Sequence, residues 1–499
     1  MPPVIGIDLG TTFSAAATLD DTGRPKILHN DEGQNITPSV VTMEGDSTVL
    51  VGEIARRAWN TDPSQAAARF KRAMGSTDTI RLGSRSFTPT ELSSLVLKKL
   101  AKDARATLGD LGQAVVTIPA NFASEAREAT LSAARTAGLD VQHIINEPTA
   151  AALYYAYSNG TELHGTFVVY DLGGGTFDIS VIRVDGTDIE VIASNGVSRL
   201  GGDDFDEALL NVVSEQFQSL EGRPLTHREY NKSLAEEDKK SLSRRKQVLV
   251  AAGPHTITVT RDAFEASIAS RIAQAEMLCE TTLDEAGVTA AQIESVFLAG
   301  GSTRIPAVQA SVRKVFQQDP QATANVDEVV ALGAALYAAY RSDRSTLSPV
   351  QRRTVERIKI SESTSQNYGT LCLSNHEGTG SQRLVNDILI EKGTKIPCSV
   401  TKTYYTAHDG QRAVDCQLTE CASSESDPRF VNTVWDGTLE LPEGRPKGQE
   451  IQVTYRYDDN QTVQCSFVDT ASGQRTDVSV TPSSTGGDGD TDISRFEVE

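Results

Sequence analysis

The chain has 499 residues, of which 38% are hydrophobic and 23% are charged, and its formal net charge is −20. This length exceeds that of one typical domain, so we expect two or three soluble domains with a sizeable core. The acidic balance disfavours nucleic acid and anionic membranes as main partners, because both repel a negative surface. Phosphate ligands remain compatible with it, since local backbone dipoles can hold them.

The N-terminal sequence MPPVIGIDLG enters a strand-like run at once, without the basic and apolar regions of a secretory signal. No stretch of the sequence has the apolar length that crosses a bilayer. The six cysteines form no CxxC pair, and a chain of this length needs no disulfide framework. We therefore expect free thiols and a cytoplasmic location.

Strand-like and helical runs alternate from residue 1 to about residue 341, which is the pattern of an α/β domain. Residues 342–358 lose this periodicity and are interpreted as a linker. Short β-prone segments separated by turn residues follow over 359–481 and indicate a small all-β sandwich. The Gly- and Asp-rich end, 482–499, is predicted to be a disordered acidic tail.

An internal repeat relates VIGIDLG-TTFSAAATLD to VVYDLGGGTFDISVIRVD, so that Asp8 corresponds to Asp171 and Thr12 to Thr176. Each copy predicts a strand, a tight turn and a strand, and two such hairpins indicate a ligand held between two lobes. Either hairpin alone fits an ordinary β-turn. The matched pair favours a nucleotide site.

Turns rich in glycine and threonine expose backbone N–H groups, which bind phosphate oxygens. The aspartates that end the two strands, Asp8 and Asp171, would repel phosphate unless a cation lies between them. We therefore predict that both associate with Mg²⁺, through waters. The turn residues expected to contact the nucleotide are Gly10, Thr11, Thr12, Phe13, Gly173, Gly174, Gly175 and Thr176.

Three further segments fit a nucleotide site. VSRLGGDDFD and VFLAGGSTRIPAVQASV carry double glycines that let a backbone approach a ligand. LAEEDKKSLSRRK places polar residues on one helix face, although such a face commonly just meets water. Two Ala-rich helices, PTAAALYYAY and EVVALGAALYAAY, have small residues that allow a close crossing, either as core packing or as a hinge.

The motifs IGIDLGTTFS, INEPTAAAL, DLGGGTFDIS, LGGDDFD and AGGSTRIP, in this order, resemble the DnaK-type chaperones, the seventy-kilodalton heat-shock family. RFKRAMGSTDTIRLGS, followed by ELSSLVLKKL, is most similar to the HscC-like branch. The resemblance implies a two-lobed, actin-like ATPase domain over 1–341, then a small all-β sandwich that binds peptides. It also implies a role in the stress response, with ATP or ADP and Mg²⁺ as cofactors.

By the same resemblance, Lys71, Glu147, Asp171 and Thr176 surround the attacking water, and Lys71 stabilises the γ-phosphate. We expect substitution of Lys71 to leave the fold intact, because a surface lysine contributes little to stability. The other positions that the resemblance assigns to the nucleotide are Gly201, Gly202, Asp203, Glu236, Lys239, Lys240, Ser243, Gly300, Gly301, Ser302, Thr303, Arg304 and Asp327.

The sequence departs from the family in four places. TDTIRLGSRS and the helical region after KKSLS are short, which makes a nucleotide-exchange factor a doubtful partner, while a J-domain co-chaperone stays a candidate. The linker RRTVERIKISES has three apolar residues broken by charges, which predicts weak coupling between domains because burying unpaired charge is costly. No helical lid is expected after the β domain.

In the β domain, TKTYYTAHDGQRAVDCQL resembles the family's peptide cleft, with Tyr404, Ala407 and Val414 at pocket and arch positions. An extended peptide would bind along strand edges, with pockets for its side chains. The alternative is that these are core residues of the sandwich.

We therefore interpret the chain as a lidless, ATP-dependent chaperone, whose ATP hydrolysis modulates the binding of unfolded or extended polypeptide. One alternative is a small-molecule kinase on the same fold, which the terminal β module disfavours. The other is an ATP-sensing, nonhydrolysing partner of another chaperone, which the intact set of catalytic residues disfavours.

Overall fold

The computed structural model describes residues 2–45, 47–159, 163–185, 188–322, 325–356, 358–375, 382–458, 462–479 and 493–499. The chain divides into two compact units: unit 1 comprises Met1–Ala120, Thr130–Ile360 and Thr485–Glu499, and unit 2 comprises Asn121–Ala129 and Ser361–Ser484. None of the helices in the described part of the chain combines the length and the apolar character that a membrane crossing requires.

The first lobe of unit 1 is built on a sheet with the strand order β11-β10-β1-β2-β3. Its strands are β1 (Ile5–Asp8), β2 (Phe13–Leu19), β3 (Pro25–Leu28), β4 (Thr37–Pro38), β5 (Val40–Glu44), β6 (Thr48–Val51), β7 (Ala66–Ala68), β8 (Ile80–Leu82), β9 (Arg85–Phe87), β10 (Ala114–Ile118) and β11 (Val141–Asn146). The helices in this stretch of the chain are α1 (Glu53–Thr61), α2 (Pro89–Leu108), α3 (Ser124–Thr136) and α4 (Glu147–Asn159).

The second lobe of unit 1 has a sheet with the order β17-β12-β13-β14-β18. Its strands are β12 (His164–Leu172), β13 (Phe177–Asp185), β14 (Asp188–Val197), β15 (Gln247–Ala252), β16 (His255–Thr260), β17 (Ile293–Ala299) and β18 (Lys359–Ser361). Its helices are α5 (Gly202–Glu221), α6 (Lys232–Leu242), α7 (Arg261–Glu285) and α8 (Pro306–Phe316), and α9 (Val329–Arg341) and α10 (Pro349–Val355) follow. Buried aromatic residues such as Phe177, Phe205 and Phe264 form its core.

The internal repeat appears as two equivalent arrangements of strands. In the first lobe, β1 pairs antiparallel with β2 and parallel with β10. In the second lobe, β12 pairs antiparallel with β13 and parallel with β17. Each hairpin therefore has the predicted order of strand, tight turn and strand, and each ends its first strand near the equivalent aspartate.

The two Ala-rich helices, α4 and α9, cross at backbone contact. A Cβ atom added to Gly333 in α9 would lie 1.7 Å from the carbonyl oxygen of Ala150 in α4. Gly6 in β1 meets α9 in the same way, since its Cβ would lie 2.1 Å from the amide nitrogen of Ala335. The predicted close crossing is confirmed, and side chains at Gly6 and Gly333 are excluded by backbone atoms.

The predicted linker is more ordered than its sequence indicates. Residues 342–358, interpreted as a linker, contain helix α10, which a Ser348 capping box begins. Val355 and Ile358 are buried, while Glu356 and Lys359 are exposed, and β18 lies in the sheet next to β14. Glu356 and Lys359 carry no burial penalty because they face solvent, whereas Glu362 of the same stretch is buried.

The predicted disordered tail, 482–499, falls into two parts. Residues up to 492, where the family's lid would begin, lie outside the described residues. The prediction of disorder is wrong for 493–499, which form a 3₁₀ turn (Ile493–Arg495) and strand β27 (Glu497–Val498) paired with β6. Burial of apolar side chains explains this order, since Phe496 is 2% exposed.

Unit 2 contains two sheets, with the orders β20-β19-β22-β23 and β21-β24-β25-β26. Their strands are β19 (Asn367–Asn375), β20 (Gln382–Ile390), β21 (Cys398–Tyr405), β22 (Ala413–Cys421), β23 (Asn432–Glu440), β24 (Glu450–Tyr457), β25 (Val463–Asp469) and β26 (Arg475–Ser479). Residues of both sheets, among them Tyr368, Leu418, Tyr455 and Phe467, share one apolar core. The six cysteines are free thiols.

The crossing of α4 and α9 predicts a change in the free energy of unfolding that is opposite in sign to the change that helix propensity predicts. On helix propensity alone, Gly333→Ala should stabilise the helix by about 1 kcal/mol. We expect the substitution instead to lower the free energy of unfolding by roughly 1–3 kcal/mol, because the new methyl group collides with backbone that cannot move aside. Chemical denaturation measures the difference, and an increase in stability would contradict the backbone contact.

Candidate functional site

Unit 1 contains a cleft with a volume of about 500 Å³, lined by both hairpins of the repeat. The predicted catalytic residues Lys71, Glu147, Asp171 and Thr176 line it, as does Asp8. Of the predicted nucleotide-binding residues, all line the cleft except Gly201 and Thr303, which lie immediately behind it in the same loops. Sequence motifs spread over the whole of unit 1 therefore converge on one cavity.

The glycines of the second hairpin turn lie against the threonines of the first hairpin turn. A Cβ atom on Gly174 would lie 2.0 Å from the Oγ1 atom of Thr12, and one on Gly175 would lie 2.5 Å from the Cγ2 atom of Thr11. Glycine is thus required here for close approach. The Oγ1 atom of Thr12 is buried and has no hydrogen-bond partner among the described residues, so a polar ligand between the turns would satisfy it.

The second lobe holds its glycine turn by backbone hydrogen bonds. The amides of Gly202 and Asp203 donate to the carbonyl oxygens of Gly173 and Gly174 at 3.0 and 2.7 Å. The Oγ atom of Ser302 donates to the same Gly173 oxygen at 2.8 Å. The loops at 173–175, 201–203 and 300–302 therefore form one hydrogen-bonded wall, although the sequence separates them widely.

Lys71 and a group of carboxylates form the floor of the cleft. The Nζ atom of Lys71 lies 2.6 Å from the Oε1 atom of Glu147, and both side chains are buried. The hydroxyl of Thr117 donates to Asp8 at 3.0 Å. Lys71 is 3% exposed, so the expectation that it is a surface residue is wrong. It comes from a 3₁₀ turn, Phe70–Ala73, that packs against α2.

Burial raises the pKa values of the carboxyl groups at the floor of the cleft, because it disfavours their charged form. It raises the pKa of Asp8 to about 7, and the negative charge of Glu147 adds to the effect while Lys71 and Thr117 offset part of it. The pKa of Asp171 is raised well above its usual range, again by burial first and then by the charges of Glu147, Asp178 and Asp8. A cation in the cleft would relieve this repulsion.

Asp178 is a buried carboxylate next to this group, and the sequence interpretation missed it. It lies on β13 directly opposite Asp171 in the strand register. It is 2% exposed, and its Oδ1 atom has no hydrogen-bond partner among the described residues. Burial and the charge of Glu147 raise its pKa to about 8. The repeat could have drawn attention to it, since its counterpart is the buried Ser14.

The cleft fits a divalent cation held mainly by phosphate and water. Within the described ranges, no group of three or more His, Cys, Asp or Glu side chains is placed to hold a metal directly. Asp8 and Asp171 nevertheless line the cleft, and their pKa values are raised. A dication near them would stabilise their ionised form. Mg²⁺ keeps several waters and binds phosphates in such sites.

The outer part of the cleft carries ion pairs among predicted nucleotide residues, and one of these residues also pairs with an arginine that was not predicted. Glu236 pairs with Lys240 at 2.6 Å and also with Arg56, whose guanidinium lies 5.2 Å from the ring centroid of Phe13. Arg304 pairs with Asp327 at 2.6 Å. Arg56 lies in α1, far from Glu236 in the sequence, and no motif pointed to it.

Two arginines beside Lys71 also escaped prediction. Arg69 has a φ of 63°, which is uncommon for a residue with a side chain, and its guanidinium donates to Asp203 at 2.8 Å. Arg72 donates to the carbonyl oxygen of Gly175 at 2.8 Å. These contacts join the Lys71 turn of the first lobe to the glycine loops of the second. The cluster RFKR was the only sequence signal for them.

The predicted peptide-binding residues lie in unit 2 on different sheets. Tyr404 is on β21, Val414 is on β22, and both are partly buried against the shared core. The hydroxyl of Tyr404 donates to Asp387 at 2.7 Å. Ala407 is exposed, and its amide donates to Gln411. Tyr404 and Val414 therefore fit the alternative, core packing, to the extent that they are partly buried.

The family model described as Hsp70 protein matches residues 4–81 and 78–499. The match covers both units and contains all the residues that line the cleft.

The raised carboxylate pKa values predict how stability depends on pH. A carboxyl whose pKa rises on folding holds its proton more tightly in the folded state, so the free energy of unfolding falls as the pH rises from about 4 to about 8. Asp178→Asn removes one such group. We expect this variant, without nucleotide, to melt above wild type at about pH 8, with a difference that shrinks towards about pH 5.

Thermal melting across this pH range checks the expectation, with Glu294→Gln, an exposed carboxylate on β17, as the matched control. A stabilisation by Asp178→Asn that grows as the pH falls would contradict it.

Proposed function

The chain belongs to the Hsp70 family, and we propose that it hydrolyses ATP in the cleft of unit 1 and thereby modulates the binding of unfolded or extended polypeptide by unit 2. Hsp70 proteins are in general ATPases that use Mg²⁺ and bind unfolded polypeptide. The observation that carries the proposal for this chain is the floor of the cleft. Buried carboxylates from both lobes surround the Lys71–Glu147 pair there, beneath two glycine turns.

The residues of the cleft have separable roles in this proposal. The backbone amides of the glycine turns bind the phosphates, because no side chain covers them. Lys71 neutralises charge that develops on the transferred phosphoryl group. Glu147 and Asp171 accept hydrogen bonds from the attacking water and fix its position, and Thr176 lies beside them. Mg²⁺, when bound, would neutralise charge between the phosphates and the Asp8 and Asp171 carboxylates.

Ion pairs across the cleft give the nucleotide a way to change the angle between the lobes. Arg56, Arg69 and Arg72 of the first lobe contact residues of the second lobe. A bound nucleotide competes with these contacts or adds to them, and so shifts the population of lobe angles. The segment from α9 through α10 to β18 leads from the α4–α9 crossing to the edge of the second-lobe sheet. We propose this segment as the route by which lobe angle affects unit 2.

The Lys71–Glu147 pair allows catalysis to be separated from stability. Lys71→Met leaves a buried carboxylate unpaired, which should cost about 3–5 kcal/mol of unfolding free energy. Lys71→Met combined with Glu147→Gln removes both charges, and we expect it to regain most of that loss. Both variants should hydrolyse ATP at least on the order of 10²-fold more slowly than wild type.

Single-turnover hydrolysis and chemical denaturation, measured on the same preparations, give the two readouts. Wild-type turnover in the stable double variant would remove Lys71 and Glu147 from the mechanism.

Turnover with peptide distinguishes the chaperone from its alternatives. We expect an unfolded hydrophobic peptide to stimulate steady-state ATP hydrolysis, and Val414→Ala to weaken this stimulation more than Val434→Ala does. Val414 and Val434 are both partly buried valines against the same core, so their losses of packing are comparable.

The possible results separate the candidates. No hydrolysis at all would favour the ATP-sensing partner, and hydrolysis that responds to a sugar but not to peptide would favour the kinase. Equal effects of the two valine variants would assign Val414 to the core alone.

A further inference from the structure

Residues 493–499 form an added strand on the first lobe of unit 1. Strand β27 pairs parallel with β6, with Glu497 opposite Thr48 and Val498 opposite Val49. The Glu497 amide donates to the carbonyl oxygen of Ser47 at 3.1 Å, and the Val51 amide donates to that of Glu499 at 2.9 Å. The segment thereby satisfies the backbone groups along the open edge of β6.

The side chains of this segment alternate between the protein and solvent. Ile493, Phe496 and Val498 are at most 4% exposed, whereas Glu497 and Glu499 are exposed. The ring of Phe496 lies 5.6 Å from that of the fully buried Phe87. The guanidinium of Arg85 lies 5.0 Å from the Phe496 ring centroid. Strand β9 and helix α2 thus provide a pocket for an aromatic residue.

Helix α2 contributes two lysines that recognise backbone. Lys98 donates to the carbonyl oxygen of Phe496 at 2.7 Å, and Lys102 donates to that of Val498 at 2.9 Å. These lysines are one helical turn apart, and their acceptors are two residues apart on a strand, so the spacing selects an extended backbone. With Arg85, they make the site basic, and the segment that it holds carries two exposed glutamates.

We propose that the edge of β6, the pocket at Phe87 and the facing side of α2 form a peptide-docking site whose cognate ligand is residues 493–499 of this chain. The site takes an extended acidic segment with a buried aromatic residue and a buried aliphatic residue two positions later. Docking is reversible, because burial of three apolar side chains is opposed by the conformational entropy of seven ordered residues. The same segment supplied in trans therefore binds when the chain's own copy is released.

Hydrogen exchange on the full chain tests the docking in cis. In wild type, the amides of Val51, Glu497 and Glu499 donate hydrogen bonds across the β6–β27 pair. They should therefore exchange more slowly than the same residues do in free peptides of the corresponding sequences. Phe496→Ala removes the aromatic anchor and should abolish the protection at 497 and 499, whereas Glu497→Gln, which changes an exposed side chain, should keep it. Exchange of the wild-type amides at the free-peptide rate would overturn the proposal without reference to any variant.

Binding of an added peptide tests whether the docked segment can be exchanged for a second copy. A fluorescein-labelled peptide with the sequence of residues 488–499 should bind the full-length Phe496→Ala variant at least roughly tenfold more tightly than wild type, whose site is filled. Adding Lys98→Met and Lys102→Met to that variant should remove the binding, and raised salt should weaken it. Equal binding to wild type and to the variant, or none to either, would overturn the exchangeable site. Both experiments are independent of ATP hydrolysis.

Discussion

Buried negative charge is the constraint on which the rest of unit 1 depends. Asp8 comes from the first lobe, and Asp171 and Asp178 come from the second, so the hairpins that meet at Gly174 and Thr12 carry like charges to one place. Lys71 and the N-terminus of α4, where Glu147 lies, neutralise part of this charge. In the absence of a cation, the raised pKa values let these carboxyls hold protons near neutral pH, and only the charge that is left repels across the cleft. Under the proposed function, a nucleotide that brings its own metal would stabilise the ionised carboxylates and so oppose that repulsion.

The sequence predicted the parts of the site whose signals are local. Asp8, Asp171 and the glycine turns stand within a few residues of one another in each copy of the repeat, and their chemistry follows from the turn itself. Arg56 and Arg69 act across the cleft, and their partners, Glu236 and Asp203, are brought near by tertiary structure that no local pattern encodes. Strand register put Asp178 beside Asp171, and register is likewise a property of the folded sheet.

The fold was predictable for long periodic elements and not for short ones. Helix α10 has seven residues, β18 has three and β27 has two. A helix of that length is marginal in isolation, and so is a short strand without a sheet. These elements exist because an edge or a groove already formed by the rest of unit 1 receives them. The sequence around α10 predicted a linker, and the Gly- and Asp-rich sequence before β27 predicted disorder. Burial of residues such as Val355 and Phe496, with the neighbouring charges exposed, explains why these segments are ordered.

The pairing of β27 with β6 has a consequence during synthesis of the chain. Strand β6 is translated more than four hundred residues before its neighbour in the sheet. At about 5–20 residues per second, this separation corresponds to roughly 20 to 90 seconds before that edge can be closed. Throughout this interval the nascent chain presents an unpaired strand edge, beside the buried Val49 and Val51, to any other extended segment nearby. Completion of the first lobe thus follows the translation of unit 2, although β6 is translated before that unit.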